Sequence, residues 1–109
     1  MPDLSIPDFM ARMAAALVPE KAVGINATIQ LKLTGAQAAD WFAIIQDSRC
    51  TLTEGLSPAA TLTVSADSGD FIRIFTGQLD GMQAFMLGKL KVAGDLNLAM
   101  KLVGLFKMK

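Results

Sequence analysis

The chemistry open to this chain is limited first by a residue it lacks. Its 109 residues include no histidine, the side chain that most often acts as general base, proton shuttle or metal ligand near neutral pH. The lone cysteine, Cys50, sits on the apolar side of an alternating stretch. With no imidazole to activate it, it reads as a small core residue rather than a nucleophile. Asp3, Asp8, Asp47, Asp67, Asp70 and Asp95 fall at turns or helix starts, where a carboxylate accepts from free backbone N–H groups. Capping accounts for them better than paired acid–base catalysis does. Gly88, Gly94 and Gly104 lead into no Gly-Lys-Ser/Thr sequence, so they do not make a phosphate-binding loop. Catalysis is the class these residues support least.

What the chain has in surplus is apolar surface. Hydrophobic residues make up 52%, with 7 Met, 6 Phe and 1 Trp but no Tyr. On so short a chain the excess has three ordinary destinations: a partner subunit, a membrane, or a cavity holding an apolar ligand. The longest apolar runs, residues 14–18 and 41–45, are far below the ~20 residues of a bilayer span. The first residues carry no basic region ahead of an apolar core, and the last three are not a Ser-Lys-Leu address. One cysteine forms no internal disulfide, which suits a cytoplasmic location. A formal net charge of zero excludes a global field for nucleic acid. From Lys89 onward, however, five lysines face one acid. They read either as solvating charges, with Lys107 and Lys109 favouring a helix C-terminus, or as a docking patch for an anionic lipid surface.

These residues must be positioned by elements that the periodicity marks out. Ser5 and Pro7 open a helix whose stripe is Ile6, Phe9, Met10, Met13 and Leu17, ended by Pro19. Residues 25–34 alternate without a break, with Ile25, Ala27, Ile29, Leu31 and Leu33 on one face and polar side chains, Gln30 among them, on a wet one. Residues 38–46 and 49–54 alternate about the turn Asp47-Ser48, completing a three-stranded meander. Residues 61–65 give a fourth strand, Phe71, Ile72, Ile74 and Phe75 a helical stripe, and residues 81–87 a short helix. Residues 89–93 alternate as a fifth strand, and Asp95 caps a last helix. That helix is unusual: Leu96, Leu98, Ala99, Met100, Leu102, Val103, Leu105, Phe106 and Met108 occupy more than one face, so it needs cover on more than one side. The pattern predicts one α+β domain over residues 1–109, with helices over one face of a sheet.

Phe75-Thr76-Gly77-Gln78-Leu79-Asp80, Ala84-Phe85, Gly88-Lys89-Leu90-Lys91, Gly94 and Leu98-Ala99-Met100-Lys101-Leu102 resemble the signature half of the sterol carrier protein-2 (SCP2) lipid-binding domain. Upstream, Thr61 to Asp67 before Asp70-Phe71 resembles that family's strand entering a helix, and Ala39-Asp40-Trp41 its second strand. The resemblance implies a five-stranded, largely antiparallel sheet, helices covering one face, and an apolar tunnel between. It implies non-catalytic intracellular binding and transfer of a fatty acid, fatty acyl-CoA, sterol or other isoprenoid lipid, with no metal or other cofactor. Two positions depart from the pattern: Gly81 stands where Pro is usual and Met82 where Gln is common. The missing peroxisomal tripeptide fits a stand-alone bacterial-type member.

On this reading the tunnel wall comprises Trp41, Phe71, Phe75, Met82, Phe85, Met86, Met100, Val103 and Phe106. For the aromatics the competing role is plain core filling. The methionines suit an adaptable cavity better, because an unbranched thioether conforms to varied apolar partners. Gln83, Lys89 and Lys91 are candidates for meeting a polar head group, against simple solvation. The last helix, being terminal, would be the gate. Expected partners are a lipid and, transiently, a membrane surface, with no nucleic acid, in a monomer or weak dimer. The rival reading is a structural or interaction module that buries the last helix against a partner or twin, or an accessory domain presenting lipid to an enzyme.

Overall fold

The computed structural model describes residues 5–108; the roles expected of Asp3 and Lys109 lie outside them. Helix α1 spans Ile6–Ala15, and Ser5 Oγ accepts from the Asp8 N–H at its start (3.3 Å). Ile6, Phe9, Met10 and Met13 are buried along one stripe, each contributing about 1.5–3 kcal/mol. Strands β1 (Ala27–Thr34), β2 (Ala39–Gln46) and β3 (Arg49–Glu54) form the expected meander. The β2–β3 connection puts both Asp47 (φ 53°) and Ser48 (φ 58°) in the left-handed region, the two-residue turn whose twist matches paired strands.

Strand β4 (Leu62–Asp67) then returns to the far side of β1 and pairs with it in parallel, while β5 (Leu90–Gly94) closes the sheet antiparallel to β4. The order is β3-β2-β1-β4-β5, a five-stranded mixed sheet in which three of four pairings are antiparallel. Gly94 ends β5 at φ 109°, where a side chain would run into the Thr61 carbonyl oxygen. Ile29, Leu31, Leu33, Ala43, Ile45, Leu62, Val64 and Ala66 turn inward from β1, β2 and β4. Helices α1, α2 (Ser68–Phe75), α3 (Gly81–Met86) and α4 (Leu96–Leu102) cover that face. Asp67, Asp80 and Asp95 cap the last three through hydrogen bonds to backbone N–H groups.

Three local expectations change. Gln30, assigned by alternation to the wet face, is buried at 4% exposure. Its Nε2 donates to the Trp41 and Gly55 carbonyls (2.9 and 3.1 Å), and its Oε1 accepts from the Ser57 N–H (2.7 Å). The β3–β4 loop is thereby folded over that face. Leu17 lies beyond α1, which ends at Ala15. The last helix stops at Leu102, followed by a 3-10 turn over Val103–Leu105 and an extended Phe106. Gly104 removes helical support there, and the end of α1 offers a better partner. Leu17 and Phe106 form an antiparallel bridge, flanked by Val18 N–H to Leu105 O (2.8 Å) and Lys107 N–H to Ala16 O (2.9 Å). The excess of apolar faces thus belongs partly to a segment that is not helix. Lys107 is accordingly not a helix-end cation.

Candidate functional site: an apolar cavity beneath α3 and α4

The inner sheet face is well covered over β1, β2 and β4 but not over its β5 side. There Val64, Leu90 and Val92 form the floor of a cavity of about 410 Å³. Val64 and Val92 are paired in register, so the floor is rigid. Ile74 and Phe75 of α2, Met82 and Phe85 of α3, and Leu96, Ala99, Met100, Leu102 and Val103 of α4 and its following turn make the walls. Among the described residues, Asp80 is the only titratable side chain on them. Helix α4 can serve both sheet and cavity because Leu98 and Leu102 turn into the core while Leu96 and Met100 remain 57% and 75% exposed. Met82 (54%) and Phe85 (48%) face them across the opening. The mouth is a band of apolar side chains in contact with water.

A second cavity of about 740 Å³ adjoins it, bordered by Val18, Lys21, Leu79, Phe106, Lys107 and Met108 among others. It is the more polar of the two, with two lysines on its rim. Ile74, Phe75, Asp80, Gly81 and Val103 line both.

Of the residues expected on a tunnel wall, Phe75, Met82, Phe85, Met100 and Val103 come together around the inner cavity, and Phe106 borders the outer one. The other three stand elsewhere. Trp41 is half-buried on β2, separated by β1 from the strands that floor the cavity; its indole Nε1 is buried without a partner. Phe71 is fully buried, its ring edge-on to Phe9 (5.8 Å) and tilted against Phe75 (4.7 Å). Met86 is 77% exposed on α3 and lines neither cavity. Of the head-group candidates, Gln83, Lys89 and Lys91 line neither cavity; the lysines that border one are Lys21 and Lys107. The floor residues Val64, Leu90 and Val92 and the α4 residues Leu96, Ala99 and Leu102 were legible as apolar positions only. Their wall role needs the strand order.

Cys50 belongs to the core side of β3, opposite Ile45. Burial pushes its thiol up to about 11, so it is protonated at neutral pH and is no nucleophile there. No helix among the described residues is long and apolar enough to cross a membrane.

Helices on one face of a mixed five-stranded sheet, with an open apolar cavity between the layers, define an α+β ligand-cavity domain. The chain belongs to the SCP-2 sterol transfer family, whose model matches residues 9–107. Over 89 residues, 80% of this chain, it is 42% identical to hydroxysteroid dehydrogenase-like protein 2 of Xenopus tropicalis, yet it spans only 21% of that protein's length. Among solved structures it is similar to the sec-alkylsulfatase Pisa1 from Pseudomonas sp. (TM-score 0.86, 25% identity, 95% of this chain and 16% of that one). It also shares the fold of sterol carrier protein 2 like 2 from Aedes aegypti (TM-score 0.72, 24% identity, 93% and 92%).

Proposed function

We propose that the chain binds a lipid non-catalytically in the cavity beneath α3 and α4 and hands it on, acting in the cytoplasm. One observation carries this reading above the rest. Of the eight large hydrophobic side chains exposed among the described residues, Met82, Phe85, Leu96 and Met100 line the same cavity. Exposed apolar surface costs free energy unless something covers it, and a lipid tail entering the cavity covers all four at once. Fatty acid, fatty acyl-CoA and sterol-like ligands all suit such walls, and the volume lies in the ~300–1,000 Å³ range of small-molecule sites. Sixteen buried carbons at about 0.8 kcal/mol each would release on the order of 12 kcal/mol before association costs, leaving Kd between about micromolar and nanomolar.

Gating by the last helix takes a narrower form. Its far end is tied to α1 by the Leu17–Phe106 bridge, and Asp95 fixes its start through its N–H to Thr61 O (3.0 Å). The movable wall is then α3, which buries only Ala84, together with the exposed side chains of α4. A second reading is favoured by the short span of the chain within its relatives: an accessory domain presenting lipid to an attached or separate enzyme. Native mass spectrometry tests the common part. A co-purified species of a few hundred daltons on a monomer is expected; a lipid-free dimer would support an interaction module instead.

A further inference from the structure

Six methionines lie among the described residues, and the fold sorts them sharply. Met10 and Met13 are sealed in the core at 1% exposure each. Met108 is half-buried at the edge of the outer cavity. Met82, Met86 and Met100 are exposed, and of these Met82 and Met100 line the inner cavity, one from each of the helices that roof it. Each of that pair therefore meets water on one side and the cavity on the other. A thioether open to water can be oxidised to a sulfoxide, which turns a flexible apolar side chain into a polar one. The walls have nothing to offer the new oxygen. Among the described residues lining the inner cavity, no side chain is a hydrogen-bond donor. The carboxylate of Asp80 is an acceptor, already engaged by the Gln83 N–H (3.3 Å). An acceptor oxygen buried without a donor costs free energy. A sulfoxide turned inward thus opposes a lipid tail, and one turned outward leaves that tail uncovered.

We infer that Met82 and Met100 are a pair of modification sites, through whose oxidation hydrogen peroxide lowers the affinity of the inner cavity for lipid. This rests on the lipid reading above and adds regulation to it. The sulfur lone pair takes one oxygen of hydrogen peroxide: an S–O bond forms and the O–O bond breaks. The other oxygen leaves as water, carrying the proton of the transferred one. Sulfur loses two electrons and the peroxide gains them. Reduction of the sulfoxides returns both thioethers and reopens the site. A bound lipid and the oxidant compete for the same two side chains, so a loaded cavity is protected and an empty one is not. Met86 is the internal control, as exposed as Met100 but outside both cavities.

The test treats the full chain with hydrogen peroxide, maps sulfoxides by peptide mass spectrometry and titrates calorimetrically with hexadecanoate, whose saturated tail the oxidant leaves intact. Sulfoxide is expected at Met82, Met86 and Met100, with Met10 and Met13 spared. Affinity should fall at least about tenfold with circular dichroism unchanged. It should recover after treatment with the two methionine sulfoxide reductases, one for each epimer. Hexadecanoate added before the peroxide should slow oxidation at Met82 and Met100 but not at Met86. Met86→Leu should lose affinity on treatment as the original chain does. The double variant Met82→Leu, Met100→Leu, compared only with itself before and after treatment, should stay within about twofold. Met82 and Met100 oxidised with affinity retained, or resisting peroxide while Met86 reacts, would overturn the inference and leave lipid binding standing. So would a double variant that still loses affinity, or loss of binding that comes only with loss of the helical signal. An untreated chain that binds no hexadecanoate would instead refute the lipid reading, and the regulation with it.

Discussion

Replacing Phe71 and Phe75 separately by alanine distinguishes a core ring from a wall ring. The two are adjacent on α2, with centroids 4.7 Å apart, and each has one further ring partner: Phe9 for Phe71 and Phe106 for Phe75 (5.9 Å). Each truncation therefore forfeits two aromatic contacts of about 0.5–1.5 kcal/mol. The remainder differs. Phe71 is enclosed on every side at 0% exposure, so its removal leaves a closed void, and Phe→Ala at such sites costs about 3–5 kcal/mol. Phe75 borders two existing cavities, so part of its ring has no packed neighbour to lose. Phe71→Ala should accordingly fall near 4–5 kcal/mol and Phe75→Ala near 3. Both losses are tolerable only within a total stability of about 5–15 kcal/mol. Urea unfolding followed by circular dichroism supplies both numbers, and a calorimetric titration with hexadecanoate at low urea supplies the other half. Phe75→Ala should alter the affinity, whereas Phe71→Ala should change it only as far as the folded fraction falls. Phe75→Ala costing as much as Phe71→Ala, with affinity untouched, would refute the division of α2 into core and wall.

Met100→Asp places a charge at the mouth on a 75% exposed position. Stability should stay within about 0.5 kcal/mol while binding of a fluorescent fatty acid drops at least about tenfold; undiminished affinity would remove α4 from the site. Gln30→Ala strips partners from two carbonyls and the Ser57 N–H and should destabilise the chain by about 2–3 kcal/mol. Hydrogen exchange at Ser57 should accelerate most, and protection equal to the original would contradict the pinning of that loop. Cys50 is held protonated up to about 11 against an unfolded value of 9.0. Between those values the unfolded chain binds fewer protons than the folded one, so this group's contribution to stability falls as pH rises. Cys50→Ser should flatten the decline in stability over that range, and a decline of the same slope in both proteins would be evidence against a desolvated thiol.

The strands were legible because their alternation is local. β1 shows every inward residue at period two, and Asp47-Ser48 marks the hairpin by its composition. The capped starts of α2 and α4 were legible for the same reason, Asp67 and Asp95 preceding apolar stripes. What stayed hidden depends on partners far along the chain. Gln30 obeys the alternation yet is buried, because residues 55–57 fold back over it. The apolar spacing of α4 runs through Gly104 without interruption, and nothing near it announces Leu17 as the partner of Phe106. Trp41 and Phe71 are large and aromatic, as wall residues often are, but strand order puts Trp41 beyond β1 and ring packing encloses Phe71. Met82, Phe85 and Met86 share one side of α3 by spacing, yet Met86 is exposed and lines neither cavity. Residue type identified apolar surface, and topology decided which part of it encloses a cavity.

The Leu17–Phe106 bridge also has a consequence for the order of assembly. It joins Leu17 to Phe106, so it cannot form until the chain has been made as far as Phe106. The β1–β3 meander pairs neighbours through short turns and can form early, since local contacts close with little entropic cost. Every wall of the inner cavity, by contrast, comes from Val64 or later, and its last side is set by the turn leading into Phe106. On synthesis from the N-terminus, the sheet's first half therefore exists before there is any cavity, and the walls from α4 are tied down only when the segment around Phe106 docks onto the end of α1.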